Sequence, residues 1–249
     1  MRNIWTICKK ELKSYFTSPI GYLLLGLYAF LMGGFFWQML RAYVAYSMRQ
    51  PNMNVNDMLV RPMIGNLGVV GLFLLPLITM RLFAEEKRQG TVELLFTSPI
   101  TDVQILLGKW FSALLMYIIM VGFASLSMLF VFAYGQPDWK PMAVGYLGLI
   151  LQGGAMLAIG TFISSTTKNQ IIAAAATFVI CLMLWILDWS ASFESAGWAK
   201  ALAYLSINSH MESFAKGTID TRDAIYYLTM TFFGLFLTSR SLESLRWRA

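Results

Sequence analysis

Hydrophobic and polar positions alternate in this chain on the scale of whole helices, not of single residues. Six windows carry no charged residue: Ser14–Leu40, Pro62–Met80, Trp110–Pro137, Pro141–Thr167, Asn169–Leu187 and Ala224–Ser239. A helix crossing roughly 30 Å of hydrocarbon needs about 20 apolar residues, with a range of about 17–25. Five windows meet that length. The sixth, at 16 residues, reaches the interface only with Thr221 or a snorkelling Arg240. A soluble core does not absorb six such runs, and the strict alternation of a barrel is absent. The pattern therefore predicts an all-α integral membrane protein with six transmembrane helices. They fall at about 20–40, 63–82, 103–134, 141–164, 170–189 and 222–240, in one transmembrane domain over 1–249. The longest polar segments, Arg41–Arg61 and Asp188–Asp223, leave no room for a soluble domain.

The boundaries of these windows carry their own pattern. Residues 2–16 place Trp5, Cys8, Leu12 and Tyr15/Phe16 on one helical face and Lys9, Lys10 and Lys13 on the other. That predicts an interfacial helix with its basic side toward lipid headgroups; a solvated helix that enforces topology is the alternative. The pentapeptide Phe-Thr-Ser-Pro-Ile occurs twice, at 16–20 and 96–100. Pro lacks an N–H and suits a first helical turn, with Ser before it as N-cap. The residue preceding Pro is biased away from α. Ser18-Pro19 and Ser98-Pro99 thus read as helix corners, each ending a helix along the membrane and starting one that enters it. On the far side, Trp198, Leu202, Leu205, Met211 and Phe214 recur at helical spacing. They predict short outer helices over 198–216, ended by Gly217, with Asp220 and Asp223 placed to cap the last span.

Charge sets the orientation. The chain is 57% hydrophobic and only 13% charged, against about 25% charged in soluble domains. With six spans, twelve Lys/Arg lie on the side of the termini and seven on the other. Both termini are then cytoplasmic. The net charge of +6 reflects topology and membrane lipids; no basic-aromatic pattern points to nucleic acid. Cys8 and Cys181 lie too far apart in this topology to pair. The apolar run after Pro19 begins too late and runs too long for a cleaved signal segment.

The segment Arg81–Phe96 carries the densest information. Gly90 can supply the left-handed residue that closes a helix extending from span two. Thr91 can cap a new short helix with Glu93 in its first turn. The product is a charged element projecting between spans two and three, with an ordinary solvated loop as the alternative. Catalytic chemistry is sparse by comparison. There is one histidine, His210, read as an interfacial hydrogen-bonding residue. Gly108-Lys109 resembles a phosphate loop, but Val103 and Trp110 break that pattern at both ends. The spans contain almost no ionisable groups for an ion or proton relay. A transporter so built must take its energy from a separate ATPase.

FAEEKRQGTVELLFTSPITDVQILLGKW (83–110), KKELKSYFTSPIGYL (9–23) and SHMESFAKGTIDTRDAIYYL (209–228) resemble ABC-2-type ABC transporter permeases. Within them the resemblance is closest to the gliding-motility and nitrous-oxide-reductase-maturation permease subfamily. It implies a six-span permease of the bacterial plasma membrane that pairs with an ABC ATP-binding subunit. It also implies a homodimer, or a heterodimer with a second permease. Glu85, Glu86, Lys87, Arg88, Gly90, Thr91 and Glu93 match the cytoplasmic helix that docks on the ATPase. The resemblance places ATP and Mg in that partner, with no cofactor in this chain. Gliding-type members can also work with a membrane protein bearing a large extracytoplasmic domain, which this chain does not carry. Two rival readings are a scaffold anchoring an ATPase without moving solute, and a lipid-acting enzyme using Asp188, Glu194 and His210.

Overall fold

The computed structural model describes residues 2–48, 54–91, 100–135, 137–192 and 202–246. Its α-helices are α1 (Arg2–Thr17), α2 (Pro19–Ser47), α3 (Arg61–Thr79), α4 (Ala84–Gln89), α5 (Asp102–Ser125), α6 (Met128–Tyr134), α7 (Trp139–Thr166), α8 (Gln170–Ile186), α9 (Met211–Ala215) and α10 (Thr221–Arg246). No strand occurs among the described residues. Among the described residues, five helical stretches are long and apolar enough to cross a membrane: Pro19–Ser47, Asn56–Gln89, Asp102–Tyr134, Trp139–Thr166 and Gln170–Trp189. α10 has the length, at 26 residues, but Tyr226, Tyr227, Thr229, Thr231, Thr238 and Arg240 dilute its apolar character.

Short polar side chains start the helices. Ser18 is extended (φ −95°, ψ 143°) between α1 and α2, and its hydroxyl accepts from the Ile20 N–H, with Pro19 opening α2. Thr101, Asp138 and Asn169 accept from backbone N–H groups in the same way at α5, α7 and α8. Each satisfies a donor that has no partner inside its own helix. The second corner, Ser98-Pro99, lies outside the described residues.

Three features differ from the sequence expectation. α2 continues past Leu40 to Ser47, with the Arg41 guanidinium over the Trp37 ring at 4.8 Å. The end of the expected polar loop is instead a π-helical turn, Asn56–Val60, which buries Leu59 and Val60 and runs directly into α3. The third apolar stretch breaks at Leu126–Ser127. There Ser125 and Ser127 hydroxyls bond back to the Gly122 and Ala124 carbonyls. Such back-bonding competes with the helical ladder.

α7 is the hub of the bundle, in contact with α3, α5, α8, α9 and α10. Its glycines allow this. A Cβ at Gly153 would overlap the Tyr117 ring of α5, and one at Gly160 would overlap Thr79 of α3. Small residues at helix contacts let backbones approach where lipid supplies no hydrophobic drive. α2 lies at the periphery. It buries Leu24, Tyr28, Met32 and Phe36, one residue per turn, and the Tyr28 hydroxyl donates to the Leu67 carbonyl. α1 sets Cys8 and Tyr15 against protein while Trp5 stays 54% exposed. Its apolar side is thus divided between α5 and the surroundings. Gly108 of α5 meets Ile7 where the two helices cross.

Candidate functional site: a strapped helical knob

α3 does not run on into α4. Pro76 sits inside its last turn, and the helix ends at Thr79. Residues 80–83 form a turn, and a side chain from another helix supports it. The Ser164 hydroxyl of α7 accepts from the Phe83 and Ala84 N–H groups and donates to the Met80 carbonyl. Three of the backbone groups released by the break thereby gain a partner. α4 follows as a separate six-residue helix, with Glu85 and Glu86 in its first turn and Lys87 and Arg88 in its last. That order of charge suits the helix dipole at both ends.

Side chains then tie this knob to the bundle. Lys109 of α5 is 2% exposed. Its ammonium donates to Glu86 Oε1 at 2.8 Å, Glu11 Oε1 at 3.1 Å and the Leu82 carbonyl at 2.6 Å. Three donors meet three acceptors. The Phe83 ring lies 5.2 Å from the same nitrogen. Arg81 pairs with Glu85 at 3.0 Å, and Lys87 donates to the Ser165 carbonyl at the end of α7. Between α1 and α4, Glu11, Arg81, Glu85, Glu86 and Lys109 help line a polar cleft of about 220 Å³.

The sequence-nominated residues therefore divide. Glu85, Glu86 and Lys87 are partly buried and bonded to Arg81, Lys109 and Ser165. Arg88, Gly90 and Thr91 are exposed. Gly90 closes α4 at φ 71°, its N–H bonding the Glu86 carbonyl, and Thr91 N–H reaches the same oxygen at 3.0 Å. Gly90 thus ends a helix separate from α3, because the turn at 80–83 intervenes. Glu93, Ser98 and Pro99 lie outside the described residues. Sequence reasoning missed Lys109, Glu11 and Ser164. For Lys109 a signal existed: it is one charge flanked by Leu106-Leu107-Gly108 and Trp110-Phe111. A lysine in such a setting must bring its partners from elsewhere in the fold.

The opposite end of the bundle holds a second polar cluster. His210 is 5% exposed, with Nδ1 at 2.7 Å from Asp223 Oδ1 and Nε2 at 2.8 Å from the Tyr204 carbonyl. Its ring stacks on Tyr226 at 3.9 Å. The Ser213 hydroxyl bonds Asp223 and not the imidazole, so no serine–histidine nucleophile is assembled. Asp188 accepts from Asn208; Glu194 lies outside the described residues. Asp220 accepts from the Arg222 N–H, while Asp223 turns inward to His210. This cluster fastens residues 204–213 to α10.

Several long apolar helices around a glycine-lined hub, with a charged knob strapped to one end, define a multi-pass helical membrane protein. The chain belongs to the ABC-2 transporter family: the pattern described as "ABC-2 family transporter protein" matches residues 5–238. Two curated relatives are the probable multidrug ABC transporter permease YbhR of Escherichia coli strain K12 and that of Escherichia coli O157:H7. Each is 28% identical to this chain over 134 residues, covering 53% of this chain and 34% of the relative. The aligned stretch thus spans about a third of the length of those relatives.

Proposed function

We propose that this chain is the permease subunit of an ABC exporter, driven by ATP hydrolysed in a separate ATP-binding subunit that docks on α4 and the residues following it. One observation carries the reading: the knob is tied to α1, α5 and α7 by buried polar contacts, while Arg88, Gly90 and Thr91 face outward. A solvated loop needs no such anchorage. An element that receives force and passes it to several helices does.

In this reading α10 is a sixth span beside the five apolar stretches. Its length and its extensive packing on α7 support that role. The lysine and arginine distribution supports cytoplasmic termini, and Ser18-Pro19 supports a helix corner at the inner face. The 83–110 segment favours the gliding-motility and nitrous-oxide-reductase-maturation subfamily, and a dimer of permeases completes the transporter. Nearly uncharged spans favour lipidic or bulky amphipathic cargo, in keeping with relatives named as multidrug permeases.

Several measurements test the proposal. Purification from native membranes should bring an ABC ATP-binding subunit with the chain, and the pair in liposomes should move an amphipathic dye or a fluorescent phospholipid on ATP addition. The chain alone should hydrolyse no ATP. In intact cells, single cysteines at positions 54 and 88 should be reached by an impermeant reagent at 54 only. Labelling at 88 alone reverses the topology, and saturable ATP binding by the isolated chain ends the reading of a permease driven by a separate ATP-binding subunit.

A further inference from the structure

Lys109 joins two carboxylates that belong to different helices. α1 packs chiefly on α5 and α2, whereas α4 packs on α7 and α8. Glu11 comes from α1 and Glu86 from α4, and one buried ammonium bonds both. A buried charge resists losing a partner, because the group left behind is neither solvated nor compensated. An exposed pair such as Arg240–Glu243 gives way far more easily. The junction is braced elsewhere along α1. Asn3 donates to Gln104 at 3.2 Å, Ile7 sits against Gly108, and the Tyr15 hydroxyl donates to the Ile78 carbonyl at 3.0 Å. Beyond Tyr15 the chain turns at Ser18-Pro19, where Gly21 packs directly on the Tyr15 carbonyl.

We infer that Lys109 is a positioning residue that makes α1, α4 and the start of α5 one moving unit. A push on α4 then also reaches α1 and, through the Ser18-Pro19 corner, the beginning of α2. Span one thereby receives the stroke directly, and not only through its packing on spans two and three. This inference rests on the proposed docking of an ATP-binding subunit at α4. It adds the route the motion takes afterwards.

Glu11→Ala removes the charged tie between α1 and the junction but leaves Lys109 paired with Glu86 and the Leu82 carbonyl, so the site stays charge-balanced. Lys109→Met removes the junction altogether. Spin labels on Lys13→Cys and Gln89→Cys, both exposed positions, report the α1–α4 distance in the complex with its ATP-binding subunit in nanodiscs. The native cysteines are buried and do not compete for label. In the otherwise wild-type complex the distance should be narrow and equal before and after trapping with ATP and vanadate. In Glu11→Ala it should broaden and shift on trapping, while the ATP-binding subunit still co-purifies. Glu11→Ala combined with Lys109→Met should be no worse than Lys109→Met alone, because both break one junction. A distance in Glu11→Ala as narrow and state-independent as in wild type overturns the inference, whether or not Lys109→Met folds. If the wild-type chain captures no ATP-binding subunit, the docking proposal itself fails, a distinguishable result.

Discussion

Gly90 offers a test in which backbone conformation is separated from side-chain contact. It sits at φ 71° and ψ 9°, closing α4, and a Cβ built there meets nothing within 4 Å. Any effect of substitution therefore comes from the left-handed backbone and not from a clash. For ordinary L-residues that region costs roughly 1–2 kcal/mol; asparagine tolerates it better, and a β-branched residue worse. With every 1.4 kcal/mol worth about tenfold, Gly90→Ala should weaken association with the ATP-binding subunit about fivefold. Gly90→Val should weaken it on the order of 30-fold at about 2 kcal/mol, and Gly90→Asn should stay within about twofold. The assay is equilibrium binding of the ATP-binding subunit to the permease in nanodiscs, with the permease's own thermal midpoint as the control. That midpoint should not move, since among the described residues only hydrogen bonds to the Glu86 carbonyl depend on the turn. Equal affinity for Val and wild type would falsify the assignment of α4 and its cap to docking. Asn as weak as Val would show that the cause is the side chain and not φ.

The remaining predictions concern parts of the structure that answer to different forces. Glu86→Lys sets a second cation beside buried Lys109 and should destabilise the permease itself by about 3–5 kcal/mol, whereas Arg88→Glu, on the exposed face, should alter only ATPase binding; thermal unfolding of the two variants in detergent separates them, and a wild-type midpoint for Glu86→Lys refutes the internal tie. Gly153→Val forces a side chain into the Tyr117 ring and should cost about 1–3 kcal/mol of packing, while Gly33→Val, with nothing near it, should leave the midpoint of the isolated chain unchanged. The hydrogen bond from Lys216, with the Lys216 and Arg61 charges, holds the Glu212 carboxyl below its usual range although burial pushes it up. Because the folded value is depressed, the contribution of this pair is present above the unfolded pKa and lost as pH falls through the folded one. Exposure of the glutamate keeps it small, so Glu212→Gln should flatten a shallow acid limb of the melting profile and leave neutral pH unaffected.

The five apolar stretches were legible because charge is costly in hydrocarbon, so a helix that crosses it must leave an uncharged window of matching length in the sequence. The boundary between α1 and α2 was legible for a local reason: Ser18 and Pro19 each act within two residues of themselves. The breaks were not. The interruption at Leu126–Ser127 lies inside an unbroken apolar window, and only hydroxyl bonds to Gly122 and Ala124 mark it. The π-helical turn at Asn56–Val60 depends on burying Leu59 and Val60 against the bundle. Glu86 stands in the first turn of the short charged helix α4, but the direction of its side chain was hidden in the sequence. Its partner Lys109 stands 23 positions away and Glu11 a further 98 from that lysine. Periodicity along one helix does not report such pairings, since they depend on how the helices cross.

The glycine-lined hub also predicts how sequence can vary over evolutionary time. The apolar windows of α2 and α8 bury only 28% and 17% of their residues inside the chain, against 72% for the stretch ending in α4. Residues such as Leu23, Phe30, Ile172 and Val179 are exposed, and a neighbouring lipid tail adapts to any apolar shape. Drift among Leu, Ile, Val and Phe at those places should be close to neutral. At Gly153 and Gly160 the neighbour is a ring or a β-branched side chain that cannot retreat. Among homologues, α7 should therefore be constrained in volume and α2 only in hydrophobicity, two different kinds of selection on helices of 28 and 29 residues.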